Sequence, residues 1–329
     1  MPRRSQPTSA KAVPKQKFTK EKFHKLIFGT KEQEGLGKQV IVYILLISIG
    51  FVYLYPILYM ISRSFMTRAD LLDSSITWLP SSFHVKNYLD AFAGMDFLNA
   101  FKGSILLSLI PTLLNVVMCG IIGYGFARFN FPGKNIMMGI LIFTMILPQQ
   151  VVMTPNYRLY NQLGILESIN SLVLPSFLGQ GIKAQLYILI FWQFFRQIPN
   201  VLFEAAKIDG CGYMKSFIRI GIPSAAPAIL VVFLFSFVWY WNESYLIKLF
   251  VMGVSSTSGN TWNTLVIALS TFNDSYASSS TVSGEALTSL NEAIQMAATV
   301  LCVGPILIMY MFLQKYFVES IDNAGITGE

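Results

Sequence analysis

Charge and histidine are scarce in this sequence. Only 12% of its 329 residues are charged, against about a quarter in a typical soluble domain. The two histidines, His24 and His84, stand alone, and an isolated solvated histidine needs no ligand to explain it. A Ser-His-Asp set or a metal cluster is therefore excluded, and no HExxH string occurs. Cys119, Cys211 and Cys302 have no spacing that suggests a disulfide or a metal site. The nearest approach to a phosphate loop, Gly35-Leu-Gly-Lys38, lacks the first glycine and the Ser or Thr after the lysine. It reads as linker. These absences leave no catalytic residue, no metal ligand and no cofactor bound by this chain as the expectation.

What the sequence has is apolar length. Residues of the apolar classes make up 53% of the chain, and its few charges cluster, leaving long uncharged runs. A run of about 20 such residues spans a bilayer. Six are expected, at about Val40–Ile61, Phe101–Phe126, Asn135–Thr154, Ser171–Phe195, Ala225–Val251 and Ala293–Leu313. The third contains Pro148 and Pro155, which interrupt it near its end. The fold class is an all-α integral membrane protein. Its expected divisions are a basic tail over 1–39, a six-span domain over 40–320 and a short tail over 321–329. The first run starts too late and is too long for a cleaved signal. Residues 1–17 read as disordered, with a short amphipathic helix around Phe18–Phe28. Ser64 to about Ala100 is too mixed to span and reads as an excursion outside, and Ser255–Glu292 reads as a polar loop with no Lys or Arg.

The net charge of +7 does not indicate nucleic acid, because ten of the 24 basic residues precede Val40. Placing both tails and the loops 128–134 and 196–219 inside puts seventeen of the 24 on that side. Basic residues favour the cytosolic side, so both termini are expected there.

The chain is organised around Glu204-Ala-Ala-Lys-Ile-Asp-Gly210, a polar segment between two apolar ones. Pro199-Asn200 is a helix start signal, and Gly210 with Gly212 is a stop signal. Val201, Leu202, Ala205 and Ile208 share one helical face, while Glu204 and Lys207 lie opposite, spaced to pair weakly. A second short helix follows, with Phe217, Ile218 and Ile220 apolar, and Pro223 is expected to end it. Such a helix either lies on the lipid interface or docks in a groove on a soluble partner.

Polar residues inside spans are costly and usually face the bundle interior or a water path. Asn115, Gln149, Gln150 and Asn156 qualify, as do Lys183 and Gln185, and the group Trp239, Trp241, Asn242 and Glu243. Aromatic faces beside amides suit a sugar ring. Interface anchoring and inter-helix hydrogen bonding explain the same residue types equally well. Glu243 is the least easily explained as an anchor.

The central string resembles the EAA loop of permease subunits in binding-protein-dependent ABC importers. The match runs without gaps through Glu204, Ala205, Ala206, Asp209, Gly210, Phe217, Ile220 and Pro223, with departures at Cys211 and Ile222. Further stretches resemble the carbohydrate-uptake members, specifically the shorter six-span subunit of the maltose-type pair. They are Gly123-Tyr-Gly-Phe-Ala-Arg128 with Phe131-Pro-Gly-Lys134, Ile146-Leu-Pro-Gln-Gln150, Pro155-Asn-Tyr157, Leu163-Gly164, Trp241-Asn-Glu243, and Gln314-Lys-Tyr-Phe317 with Gly325. Gly103-Ser104 stands where Asn-Ser is usual. The resemblance covers residues 40–329 and implies a type I ABC importer permease fold with a cytosolic coupling helix over about 196–223. It also implies a location in the bacterial cytoplasmic membrane and a heterodimer with a homologous permease. Two ATPase subunits that bind ATP and Mg, and an extracytoplasmic solute-binding protein, would complete the assembly. The coupling role falls on the eight residues of the EAA match. An ion-coupled secondary transporter is the competing reading, with Glu243 the one good carboxylate for it. A carbohydrate is the implied substrate, most directly an oligosaccharide, with a polyol or glycerol phosphate ester still open. Sparse basic charge outside disfavours an anion, although Lys183 or Arg158 supplies one cation.

Overall fold

A computed structural model describes residues 29–30, 33–34, 36–252, 262–274 and 292–326, with side chains over 37–252, 262–274 and 292–316. The expected features over 1–17 and Phe18–Phe28, and much of the Ser255–Glu292 stretch, lie outside these residues. The chain packs as two units, Met1–Tyr59 and Met60–Glu329.

The first unit holds a two-residue antiparallel pair, β1 (Gly29–Thr30) with β2 (Gln33–Glu34), and most of helix α1 (Leu36–Ser64). Side chains from Val40 through Leu54 are exposed around the helix. A helix that is apolar all round requires lipid or a partner as its surroundings. Rings Phe51, Tyr55 and Tyr59 follow one another along one side, at 5.9 and 6.3 Å.

In the second unit, the segment after α1 folds into a tight elbow. Helices α2 (Arg68–Leu72) and α3 (Lys86–Gly94) occupy the stretch read as an excursion. The Asn87 amide donates to the Ser64 and Met66 carbonyls, both at 2.9 Å. Thr67 and Asp70 form a reciprocal capping box. Hydrogen bonds from the Ser81 hydroxyl and the Thr67 N–H hold the Asp70 carboxyl below its ordinary value.

Helix α4 (Phe97–Arg128) is the central rod, 32 residues long. At about 1.5 Å per residue it is long enough to cross a bilayer. Beyond it come α5 (Lys134–Ile146), α6 (Gln149–Gln162), α7 (Asn170–Phe177) and α8 (Ala184–Gln197). The short helix α9 (Asn200–Ile208) leads into α10 (Tyr213–Ser216), a π-turn over Phe217–Gly221, α11 (Ile222–Ser224) and α12 (Ala226–Asn242). Then follow α13 (Leu265–Ser270) and α14 (Glu292–Ile326). Helix α4 packs on α8 closely because Gly123 has no side chain; a Cβ there would lie 2.6 Å from Phe191 Cβ.

The helices do not follow six clean spans. Among the described residues three are long and apolar enough to cross a membrane, Gly37–Ser64, Phe97–Arg128 and Glu292–Tyr316. Two bent pairs raise that to as many as five. Helices α5 and α6 meet at 102°, because Leu147 and Pro148 are extended (ψ 129° and 132°). A residue before proline avoids the helical region. Pro155 does not interrupt anything and lies inside α6. The stretch expected as one span over Ser171–Phe195 is two helices, since Gly179 and Lys183 both take positive φ (72° and 57°). Pro223 does not end the helical run but lies within it, as the second residue of α11. The bend of 74° before α12 comes two residues later, at Ala225. The fifth span stops at Glu243 rather than at Val251. The last helix runs on through the stretch read as a tail, to Ile326.

The loop region before α14 also contains buried structure. Leu265, Ala268 and Phe272 pack with Ala91, Trp241 and Ile294 in one apolar cluster. The Leu265 N–H donates to Ser104 Oγ at 2.8 Å. Beside it, a Cβ on Gly103 would collide with the Asn263 carbonyl. The unusual Gly103-Ser104 pair on α4 is therefore the seat of this chain segment.

Candidate functional site

Two places carry functional geometry. The first is α9 and its flanks. Ile198 and Pro199 are extended, which turns the chain out of α8. Helix α9 then runs from Asn200 to Ile208 and closes in a Schellman motif: Cys211 N–H donates to Ala206 O at 2.8 Å and Gly210 N–H to Lys207 O at 3.1 Å. The motif needs a left-handed residue, and Gly210 supplies it with φ +75°.

The face expected to be apolar is outward. Val201 is 70% exposed, Leu202 49% and Ile208 87%, while Ala206 is 8% exposed. Glu204, Ala205 and Asp209 are also exposed. Glu204 and Lys207 form no ion pair among the described residues; exposed pairs gain little in water. Phe217 and Ile220 are half-buried, and Pro223 is exposed.

Beneath α9 lies an aromatic layer. Tyr124 of α4 touches Phe217, Phe195 and Phe203, with ring centroids 4.7, 5.2 and 6.2 Å away. Arg128, one turn on, donates to Asn200 Oδ1 and to the Ile198 carbonyl, both at 2.7 Å. Its guanidinium also sits 4.0 Å from the Phe203 ring centre. In the sequence Arg128 stands at the end of a family-like stretch with no role assigned to it, since its partners lie 70 and 72 positions away.

The second place is a cavity of about 620 Å³ inside the α5–α6 bend, closed by α7, the start of α8 and the end of α12. Gln149, Asn156, Gln180, Lys183, Gln185 and Trp239 are among its polar and aromatic lining residues. The Lys183 ammonium stands 4.9 Å from the Trp239 ring centre. The α8 start positions Lys183, whose left-handed backbone aims it off the helix axis.

Of the candidate path residues, Gln149, Asn156 and Trp239 come together here. Gln150 is exposed but does not line the cavity. Asn115 is fully buried, its amide donating to Ser236 Oγ at 3.3 Å and Ile182 O at 3.4 Å. That is inter-helix bonding, the alternative reading of a mid-span amide. Tyr240 closes the same knot, bonding Ser176 Oγ at 2.7 Å and accepting from Ile182 N–H at 3.0 Å. Trp241 is 3% exposed and packs on Phe237 and Phe101. Asn242 is exposed, with its amide returned to Val238 O at 2.9 Å. Glu243 ends α12, and its carboxylate accepts from the Leu246 N–H at 2.9 Å.

The family model for the inner membrane component of binding-protein-dependent transport systems matches residues 116–323, a range that includes α9, Arg128 and the whole cavity. The chain belongs to this family. The permease is similar to the protein LplC of Bacillus subtilis, 27% identical over 85% of this chain and 91% of the relative. It is also similar to the arabinooligosaccharide permease AraQ of Halalkalibacterium halodurans (26%, covering 85% and 93%). A third relative is the polygalacturonan/rhamnogalacturonan permease YtcP of B. subtilis (26%, covering 88% and 98%). Among solved structures, the permease shares its fold with a chain of a bacterial ABC transporter that imports the acidic polysaccharide alginate. The TM-score is 0.66 at 21% identity, over 85% of this chain and 96% of that one. The permease is thus an integral membrane transport component and not a catalytic subunit.

Proposed function

We propose that the chain is one half of the translocation path of an ATP-driven carbohydrate importer, with oligosaccharides as substrate. The observation that carries this reading is α9. It is a short helix bounded by Pro199 and Gly210, and its apolar residues Val201, Leu202 and Ile208 are left outside the fold. An exposed apolar face of this kind fits a groove on a soluble partner. In this reading α9 is the cytosolic coupling helix, and Glu204, Ala205, Ala206, Asp209, Gly210, Phe217, Ile220 and Pro223 form or support the docking element. The partner ATPases hold ATP and Mg. A second, homologous permease completes the path, and a solute-binding protein delivers substrate from outside.

Six crossings follow if α5–α6 and α7–α8 each act as one broken span beside α1, α4, α12 and α14. Both termini are then in the cytosol, and the protein sits in the cytoplasmic membrane. Non-helical backbone at membrane depth is tolerated where it lines a cavity, which suits the α7–α8 break beside Gln180 and Lys183. Carboxamides and one indole face suit sugar hydroxyls and ring stacking. The sugar permeases among the relatives support a carbohydrate.

ATP closure of the two ATPases moves their docked helices together, and the permease halves rock between inward-open and outward-open. The ion-coupled alternative is the weaker reading, because Glu243 already has a structural task in accepting from the Leu246 N–H. The test is uptake by proteoliposomes holding the full importer, with labelled oligosaccharides outside and ATP inside. ATP-dependent uptake that Trp239→Ala reduces about tenfold supports the reading. Uptake by the lone chain, driven by an ion gradient without ATP, refutes it.

A further inference from the structure

The joint between α8 and α9 has no side-chain cap of its own. Ile198 and Pro199 are extended, and no side chain caps the α9 N-terminus. The first N–H groups of a helix have no intrahelical partner, and a bare end frays. The other end is joined through Gly210 and Gly212, again without a side-chain cap on α10. Neither joint by itself fixes the direction of α9.

Arg128 is the group in position to do so. Among the described residues it donates the only side-chain hydrogen bonds that reach 198–208. Its two NH groups go to different points, the Ile198 carbonyl before the helix and the Asn200 side chain at its first residue, both at 2.7 Å. The flat of the guanidinium then covers Phe203, one turn further along. Three contacts at three heights along α9 fix its direction as well as its place. The helix field does not explain the arrangement, since a cation at a helix N-terminus is disfavoured. Arg128 is instead favourable at its own end, the last turn of α4. The aromatic layer one turn back, Tyr124 against Phe195, Phe203 and Phe217, backs it on both sides of the loop.

We infer that Arg128 is a positioning residue that locks α9 to the end of α4. A push on α9 then reaches the central rod directly rather than through the two joints alone. The inference rests on α9 as the coupling helix, and the planar fork is what the role needs. Lysine keeps the charge but cannot bond two separated acceptors and stack on a ring at once.

The test uses the complete importer, with both permeases, both ATPases and the solute-binding protein, and three variants: Arg128→Lys, Arg128→Gln and Asn200→Ala. Expected are normal assembly and basal ATPase activity, with substrate-stimulated uptake down about tenfold in both Arg128 variants. One charge-assisted hydrogen bond is enough for a change of that size. Asn200→Ala should fall in between, and adding it to Arg128→Gln should cost nothing further. A separate readout follows the lock itself. Spin labels at Asn135 and Ile208, in a Cys211→Ser background, should give one narrow distance that broadens in Arg128→Lys. An unchanged distribution, or wild-type uptake and ATPase stimulation in Arg128→Gln, overturns the inference. Failure of the coupling reading looks different: a crosslinker at Lys207 of the unmutated permease would capture no ATPase, while the label distances still report on the lock.

Discussion

Gly210 is required for its backbone and not for its space. A Cβ there would meet nothing within 4 Å, yet φ is +75°. A non-glycine residue in this region costs roughly 1–2 kcal/mol, with asparagine the most tolerant. Gly210→Asn should therefore keep most uptake, and Gly210→Val should lose most of it at unchanged expression. Equal uptake by the two variants contradicts the backbone argument. Gly103 is the opposite case, a helical glycine required for its space. An asparagine in its place, as the resemblance to the family would suggest, would strike the Asn263 carbonyl. Gly103→Asn should lower the unfolding midpoint in detergent, with an overpacking penalty of about 1–3 kcal/mol. A raised midpoint would show that the segment can yield. The departure at Gly103 was visible in the sequence, but its reason was not, because Asn263 lies in a stretch that reads as polar loop. The same holds for Asn115 and Glu243. A mid-span amide or carboxylate signals a polar task without saying whether the partner is substrate or backbone.

At the scale of elements, legibility followed punctuation. The bounds of α9 could be read almost to the residue, since Pro199 and Gly210 are strong local signals and the partner of each is nearby in the chain. Its apolar face was legible too, although the sequence could not say that the face stays outside. Helices α5 and α6 were legible as a disturbed span and not as a right-angle turn, because periodicity reports no direction. Pro148 deserved its weight and Pro155 did not: one follows a residue already driven into extended backbone, the other sits where the helix tolerates it. The short run Leu265–Ser270 was hidden among Ser and Thr, too brief for a period to show. Pro148→Ala removes the constraint on Leu147 and lets α5 continue straight. A cysteine at Gln149 should then lose its accessibility to a polar thiol reagent as the cavity closes, and uptake should fall at least severalfold. Unchanged labelling and uptake would place the cause of the bend elsewhere in the packing.

At the scale of the whole molecule, α4 joins the two ends of the second unit. Its first turns seat the Asn263–Leu265 segment through Gly103 and Ser104, and its last holds α9 through Arg128. Under the proposed function these are an outer and an inner contact, and one helix joining them suits alternating access, since packed elements move as bodies rather than deform. The family assignment and the fold agree with that use. Both were within reach of the sequence through the loop motif. The six crossings read there stay part of the proposed function, because broken spans and whole ones have the same composition. The central claim is that α9 meets an ATPase, and a photo-crosslinker at Ile208, 87% exposed in this chain, tests it most directly in intact membranes. The account predicts an adduct with the ATPase subunit that changes in yield when ATP is trapped; labelling of Ile208 from the outer side of the membrane, with no ATPase adduct, contradicts it.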